Sequence, residues 1–210
     1  MGVTSALERN EEDREAFKNL VNTHFRPEQL VFADESHFNR LTLRRPYAWS
    51  IRGEHAHQCE FFLRGSKYSI LPALSLNGIL HLEVLDKAIT GDDFRRFVQG
   101  LLPHMNQWPL PNSVLVIDNA SIHKVADIRK IVEEHGVRLL YLPVYLPDFN
   151  PIELAFSTIK AWLRTNRDRV NQELESENGT VYNMFWEAIH STTAEHAKGW
   201  YKHCGYRVPN

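Results

Sequence analysis

Apolar residues along the chain fall into short unbroken runs and helical stripes. Residues 11–24 carry Phe17, Leu20 and Val21 at helical spacing, and Pro27 ends that pattern. Gln29 to Ala33 (QLVFA) is an apolar run short enough for a buried strand, and Asp34 follows it. Residues 68–73 are rich in strand-forming residues. Leu74-Ser-Leu, the Asn77-Gly78 turn and Ile79 to Leu85 predict a hairpin. Thr90 begins a helix as an N-cap, with Asp92 and Asp93 in its first turn and Phe94, Phe97, Val98 and Leu101 along one face. Val114 to Ile117 is a second buried strand, closed by Asp118. A helix over 124–135 is stopped by Gly136, and residues 137–142 form a third buried strand. A proline-rich loop, 143–151, opens a helix from 152 to about 168. Residues 170–179 are polar and read as a linker. Tyr182, Phe185, Trp186 and Ile189 then mark the apolar face of a helical tail.

Strand–helix–strand order implies parallel pairing, and the hairpin implies an antiparallel edge. The expected architecture is α/β, a mixed five-stranded sheet flanked by helices. The expected division is a helical lead-in over 1–27, a core over 28–169, and a linker with a helical tail over 170–210.

Composition removes several classes. With 43% hydrophobic and 24% charged residues, the 210-residue chain is globular rather than disordered. No apolar run approaches the ~18 residues a spanning helix needs, so no membrane partner is expected. Two cysteines, Cys59 and Cys204, cannot build a disulfide framework and point to a reducing compartment. A net charge of −2 gives no whole-chain signal for nucleic acid, but its distribution does. Residues 40–67 hold six basic groups against two acids, and residues 160–169 hold four against Asp168 alone.

Asp34 and Asp118 each end an apolar strand, where ligands of open α/β sheets gather. Glu153 follows one turn into the last helix. Three carboxylates converging there would suit Mg²⁺ or Mn²⁺. Each also has a purely structural reading. Either Asp serves as a turn residue, and Asn150-Pro151-Ile152-Glu153 fits a capping box that explains Glu153 without function.

Residue strings carry the chain further. Val31-Phe-Ala-Asp-Glu-Ser36, Val114-Leu-Val-Ile-Asp-Asn-Ala-Ser-Ile-His123 and Leu142-Pro-Val-Tyr-Leu-Pro-Asp-Phe-Asn-Pro-Ile-Glu153 resemble the DDE transposase catalytic domain of the mariner superfamily, most of all fungal transposase-derived proteins. The resemblance extends to Arg45-Pro-Tyr-Ala-Trp49, Ser69 to Ser75 and Ala197 to Tyr206, and so covers roughly residues 28–206. Between Asp118 and Glu153 lie 34 residues, the spacing of one branch of that superfamily. It implies an RNase H-like fold and a catalytic, metal-binding triad of Asp34, Asp118 and Glu153 holding two divalent cations, Mg²⁺ or Mn²⁺. It also implies hydrolytic nicking of DNA followed by strand transfer from the freed 3′-hydroxyl. DNA as partner, a homodimer as candidate assembly and a nuclear location come with it; no small-molecule cofactor does.

There are departures from the family pattern. Only 33 residues precede Asp34, too few for the helix-turn-helix domains that read DNA in family members. Leu146 stands where Ser is usual before Pro-Asp-Phe-Asn, and Pro46 replaces a common Gly. The alternatives are a catalytically silent transposon relic that binds DNA or protein, and a metal nuclease of the same fold without transposition.

Further residues are read in two ways. Arg44 and Arg45, beside Tyr47 and Trp49, either grip a DNA backbone or face solvent. Lys160, Arg164 and Arg167, at i, i+4 and i+7, share one helix face with Glu153 and serve DNA or solvent. His123 steadies a phosphate or carboxylate, or bonds backbone. Asn119 orients water or forms a turn, and Asn150 supports the triad or caps a helix. His55, His57 and Cys59 alternate as zinc ligands could, but no fourth ligand lies at a known spacing, so they read as polar loop or edge-strand residues.

Overall fold

The computed structural model describes residues 11–38, 51–54, 68–120, 126–143, 146–176 and 181–209. Among the described residues six strands form one sheet: β1 (Leu30–Ala33), β2 (Ser36–Phe38), β3 (Tyr68–Ser75), β4 (Gly78–Leu85), β5 (Val114–Ile117) and β6 (Arg138–Tyr141). Seven helices accompany them among the described residues: α1 (Glu11–His24), α2 (Gly91–Leu101), α3 (Ala126–Glu134), α4 (Ile152–Thr165), α5 (Arg167–Ser176), α6 (Val181–His190) and α7 (Ala194–His203). No described helix is long and apolar enough to cross a membrane.

The expected sheet had five strands; the sixth is β2. It continues from β1 along the same edge of β3, after a break at Asp34-Glu35. The register that pairs Ala33 with Ala73 and Ser36 with Ile70 sets Asp34 opposite Pro72, which has no N–H to give a ladder. At three residues, β2 was too short for alternation to reveal.

β3 pairs antiparallel with β1 and β4, while β5 runs parallel to β1 and β6. Asn77 and Gly78 turn the hairpin, with Gly78 at φ 111°. The Ser75 hydroxyl donates to the Gly78 carbonyl at 2.9 Å. Gly136, at φ 74°, closes α3: its N–H reaches the Glu133 carbonyl and the Val137 N–H reaches that of Val132.

Strand alternation splits the core in two. Leu30, Phe32, Val114 and Val116 pack against α1, α4, α6 and α7, whereas Val31, Ala33, Leu115 and Ile117 pack against α2 and α3. The regions around the central sheet share the first of these cores. From α1 come Phe17 and Val21, and from the C-terminal helices Phe185, Ile189, Ala197 and Tyr201. Tyr201 is fully buried. Its hydroxyl shares its proton between the Leu30 carbonyl at 2.9 Å and the Leu74 carbonyl at 3.1 Å, on neighbouring strands. The Tyr206 hydroxyl donates to the Phe149 carbonyl at 2.7 Å.

Two expectations fail after α4. The helix stops at Thr165, Asn166 is non-helical, and α5 begins at Arg167. Residues 170–176, expected as linker, therefore lie in α5; residues 177–180 fall outside the described residues. Val170 inserts into the core and most of its neighbours are polar, so no apolar stripe announces this helix. Arg, Gln, Glu and Leu all favour helix without one.

Candidate active site

The strand register decides where the first two acids stand. β1 and β5 pair in parallel with Ala33 beside Ile117, so Asp34 and Asp118 leave the sheet at neighbouring strand ends. Alternation continued from Phe32 and Val116 sends both side chains to the face that α4 covers. α4 brings Glu153 to the same place. Asp34, Asp118 and Glu153 line one cleft of about 350 Å³, together with Asn119, Leu146 and Asn150.

Donors fix the two aspartates. Asp34 is buried; its Oδ1 accepts the Glu35 N–H at 2.8 Å and its Oδ2 accepts the Asn150 side-chain amide at 2.9 Å. Asp118 Oδ1 accepts the Ala120 N–H at 2.9 Å. Asn150, itself 4% exposed, thus joins the loop before α4 to the end of β1.

That bond undoes the capping box expected at Asn150 and Glu153. The Asn150 oxygen lies 3.4 Å from the Ile152 N–H, beyond the usual range, and α4 begins behind Pro151 with no side-chain cap. The Glu153 N–H donates instead to the Asn150 main-chain carbonyl at 3.1 Å. The Glu153 carboxyl is left to the cleft, where surrounding protein displaces its water and raises its pKa. Lys160 opposes that rise, while the charges of Asp118 and Glu35 add to it.

Among the described residues, no three His, Cys, Asp or Glu side chains stand close enough to hold one ion in this arrangement. The triad shares a cleft but is not drawn together. Mutual repulsion of like charges and the separate tethers of Asp34 and Asp118 account for the spread. The donor set suits magnesium or manganese: among the described residues the cleft offers carboxylate and amide oxygens, and no sulfur or imidazole. The crowding felt at Glu153 is what a divalent cation would relieve.

A model of the family described as DDE superfamily endonuclease matches residues 29–174. The chain belongs to that family. The DDE endonuclease family expected from the residue strings is thereby shown, and the structural likenesses below bear out the RNase H-like fold. The chain is similar to the Mos1 transposase in its paired-end complex with the left transposon end, at 16% identity and a TM-score of 0.62, covering 98% of this chain and 66% of that one. A Mos1 catalytic-domain structure with raltegravir and Mg matches at 15% identity and a TM-score of 0.56, over 98% of this chain and 100% of that one. The mariner Mos1 paired-end complex with Mg matches at 17% and 0.62, over 100% and 67%. This chain thus spans about two thirds of the length of the transposase chains in the DNA complexes. No curated protein sequence matches it.

The remaining candidates of this DDE endonuclease separate by position. Lys160 reaches the site's field, with its ammonium 5.7 Å from the Phe38 ring centroid and 6.0 Å from that of Phe156. Arg164 follows one turn later on α4. Arg167 does not belong to that face, because the chain breaks at Asn166 and Arg167 opens α5, 3.4 Å from Asp168. Asn119 lines the cleft. Arg44, Arg45, His123, His55, His57 and Cys59 lie outside the described residues. Glu35 was missed. Unbroken alternation would hide it on the far side of the sheet from Asp34, but its charge still acts on Glu153.

Proposed function

We propose that this chain cuts DNA phosphodiester bonds with Mg²⁺ or Mn²⁺ held by Asp34, Asp118 and Glu153, and joins the freed end to a second DNA. The observation that carries the reading is the pairing of Ala33 with Ile117, which brings Asp34 and Asp118 side by side on the face where Glu153 waits. In the first step a water oxygen bonds to phosphorus, the bond to the 3′-oxygen breaks, and that oxygen leaves as a 3′-hydroxyl. In the second, this hydroxyl replaces another strand's 3′-oxygen at its own phosphate. When bound, two such cations supply positive charge beside the phosphate, favouring deprotonation of the attacking oxygen and departure of the leaving one.

The protein's share is to hold charge in place. Asn150 fixes the rotation of Asp34 through Oδ2, and the Ala120 N–H does the same for Asp118. Lys160 favours the ionised form of Glu153, the form a cation needs. The DNA-bound relatives, which are paired-end complexes, support DNA as the partner and a dimer as the working assembly. A nuclear location, which the family resemblance implies, is part of the same proposal.

Nicking of supercoiled plasmid tests the reading. The purified chain with Mg²⁺ or Mn²⁺ should convert plasmid to open circles, and Asp118→Asn should abolish this. Asn keeps the shape but loses the charge that binds the cation. No cleavage with either metal, on single- or double-stranded DNA, would instead favour the silent relic. Cleavage without any joined product would reduce the activity to that of a nuclease.

A further inference from the structure

A second cavity of about 650 Å³ opens beside the acid cleft and shares Pro147, Asn150 and Glu153 with it as common walls. Its outer wall comes from opposite ends of the described chain. α1 supplies Arg14 and Lys18, one helical turn apart on one face, and the end of α7 supplies His203. Arg14 is held in place: its guanidinium bonds the Asp148 carboxylate and lies 4.7 Å from the Phe149 ring centroid. Asp148 is thereby matched by a cation already present. Lys18 and His203 are both exposed, and among the described residues no carboxylate pairs with Lys18.

We infer that this second cavity is a phosphate-backbone subsite for the DNA strand that passes through the acid cleft. Lys18 and His203 hold phosphates a short distance from the linkage being cut. The inference rests on the reading that the acid cleft acts on DNA. The shared wall carries it: a strand lying at Glu153 must leave along one of the cleft's open sides, and this side offers donors at its rim. An isolated polyanion has little reason to approach Glu153 and Asp148, whereas a strand whose next phosphate is neutralised at the acid cleft can continue across them. Two donors along one groove also suit a flexible backbone, which follows a line of donors rather than filling one pocket. The surrounding sequence hides this site. Residues 1–35 hold eight acids and four bases, so their balance argues against nucleic acid until the helix face is known.

Binding of a fluorescent single-stranded DNA to the full chain, measured by anisotropy with Ca²⁺ over a range of salt, tests the subsite. Lys18→Ala should weaken binding about fivefold and lower the slope of log affinity against log salt by about 0.7, the contribution of one phosphate contact to a single strand. His203→Ala should weaken it further in the same background. Lys18→Arg should restore both affinity and slope. Lys130→Ala, on α3 beside Glu134 and remote from either cavity, should change neither. Unchanged affinity and slope in Lys18→Ala and His203→Ala would overturn the subsite, even if plasmid nicking succeeds. If the chain fails to nick plasmid but Lys18→Ala still lowers affinity and slope, the subsite stands and only the cutting activity falls.

Discussion

Asp93 and Glu153 stand in the same sequence setting and end in opposite physical states. Each lies three residues after a capping residue, Thr90 in one case and Asn150 in the other, at the start of an amphipathic helix. At α2 the box forms. The Thr90 hydroxyl accepts the Asp93 N–H at 3.3 Å, and Asp93 accepts the Thr90 N–H at 3.1 Å. Lys87 at 2.8 Å and Arg96 at 3.1 Å complete the set, and the bonds from Lys87 and Thr90 hold the Asp93 carboxyl well below the usual carboxylate range. At α4 the candidate capping residue turns away to Asp34, and burial raises the pKa of Glu153, with the charges of Asp118 and Glu35 adding to the rise. One acid stabilises the fold. The other stands where its charge is disfavoured, at some cost to the fold, the usual condition of a group that serves a reaction.

The largest test of that contrast is catalytic. Glu153→Gln should lower DNA cleavage by at least about a hundredfold, the scale of losing one preorganised electrostatic group. Asp93→Asn should cleave normally below its melting point. Plasmid nicking at a permissive temperature checks both, and equal losses would erase the distinction.

Stability should respond the other way. Asp93→Ala removes half of the capping box and the charged acceptor that Lys87 and Arg96 share, which costs about 2 kcal/mol. For a chain of this size the melting temperature should fall by about 4–8 °C. A loss below one degree would mean that the box is idle.

Asn150→Ala touches the place where the two settings diverge. Without its amide, Asp34 loses the donor that fixes Oδ2, so cleavage should drop about tenfold while stability falls by about 1 kcal/mol. A stability loss with full activity would place Asn150 in the fold alone.

The smallest effect is a difference in pH dependence. A raised carboxyl pKa means that folding is favoured below its usual 4.5 and penalised as pH rises through the folded value. Glu153→Gln should therefore melt slightly higher than the unsubstituted chain at pH 7 and match it at pH 4. Asp93 has the opposite sign: its lowered pKa gives stability above the usual 3.8 that disappears as pH falls. The gap between the unsubstituted chain and Asp93→Asn should close on acidification. Paired melting curves, from pH 7 to pH 4 for the Glu153 pair and carried below pH 3.8 for the Asp93 pair, decide whether the two acids differ in sign.

The contrast also shows how far the residues alone could lead. Buried strands were plain in LVFA and VLVI, and the aspartates after them followed from the rule that sites gather at strand ends. Thr90 and Asp93 were legible because every partner of that box is local. Glu153 was ambiguous because its fate depends on Asp34, which is 116 residues from Asn150 and invisible to any window of sequence. The break at Asn166 and the helix beyond it were missed for a related reason: a polar helix anchored by Val170 writes no apolar stripe. Lys18 lay hidden because its α1 neighbours are acidic and its groove is completed by α7.

Tyr201 and Tyr206 set an order in time. Protein synthesis runs from the N-terminus, so all three acids leave the ribosome well before the tyrosines that fasten β1 to β3 and brace the turn at Phe149. A nascent chain that has reached only α4 carries the whole triad without those two fastenings. The acids therefore become a rigid unit late in synthesis, and a message broken upstream of codon 201 yields the charges without the frame that aims them.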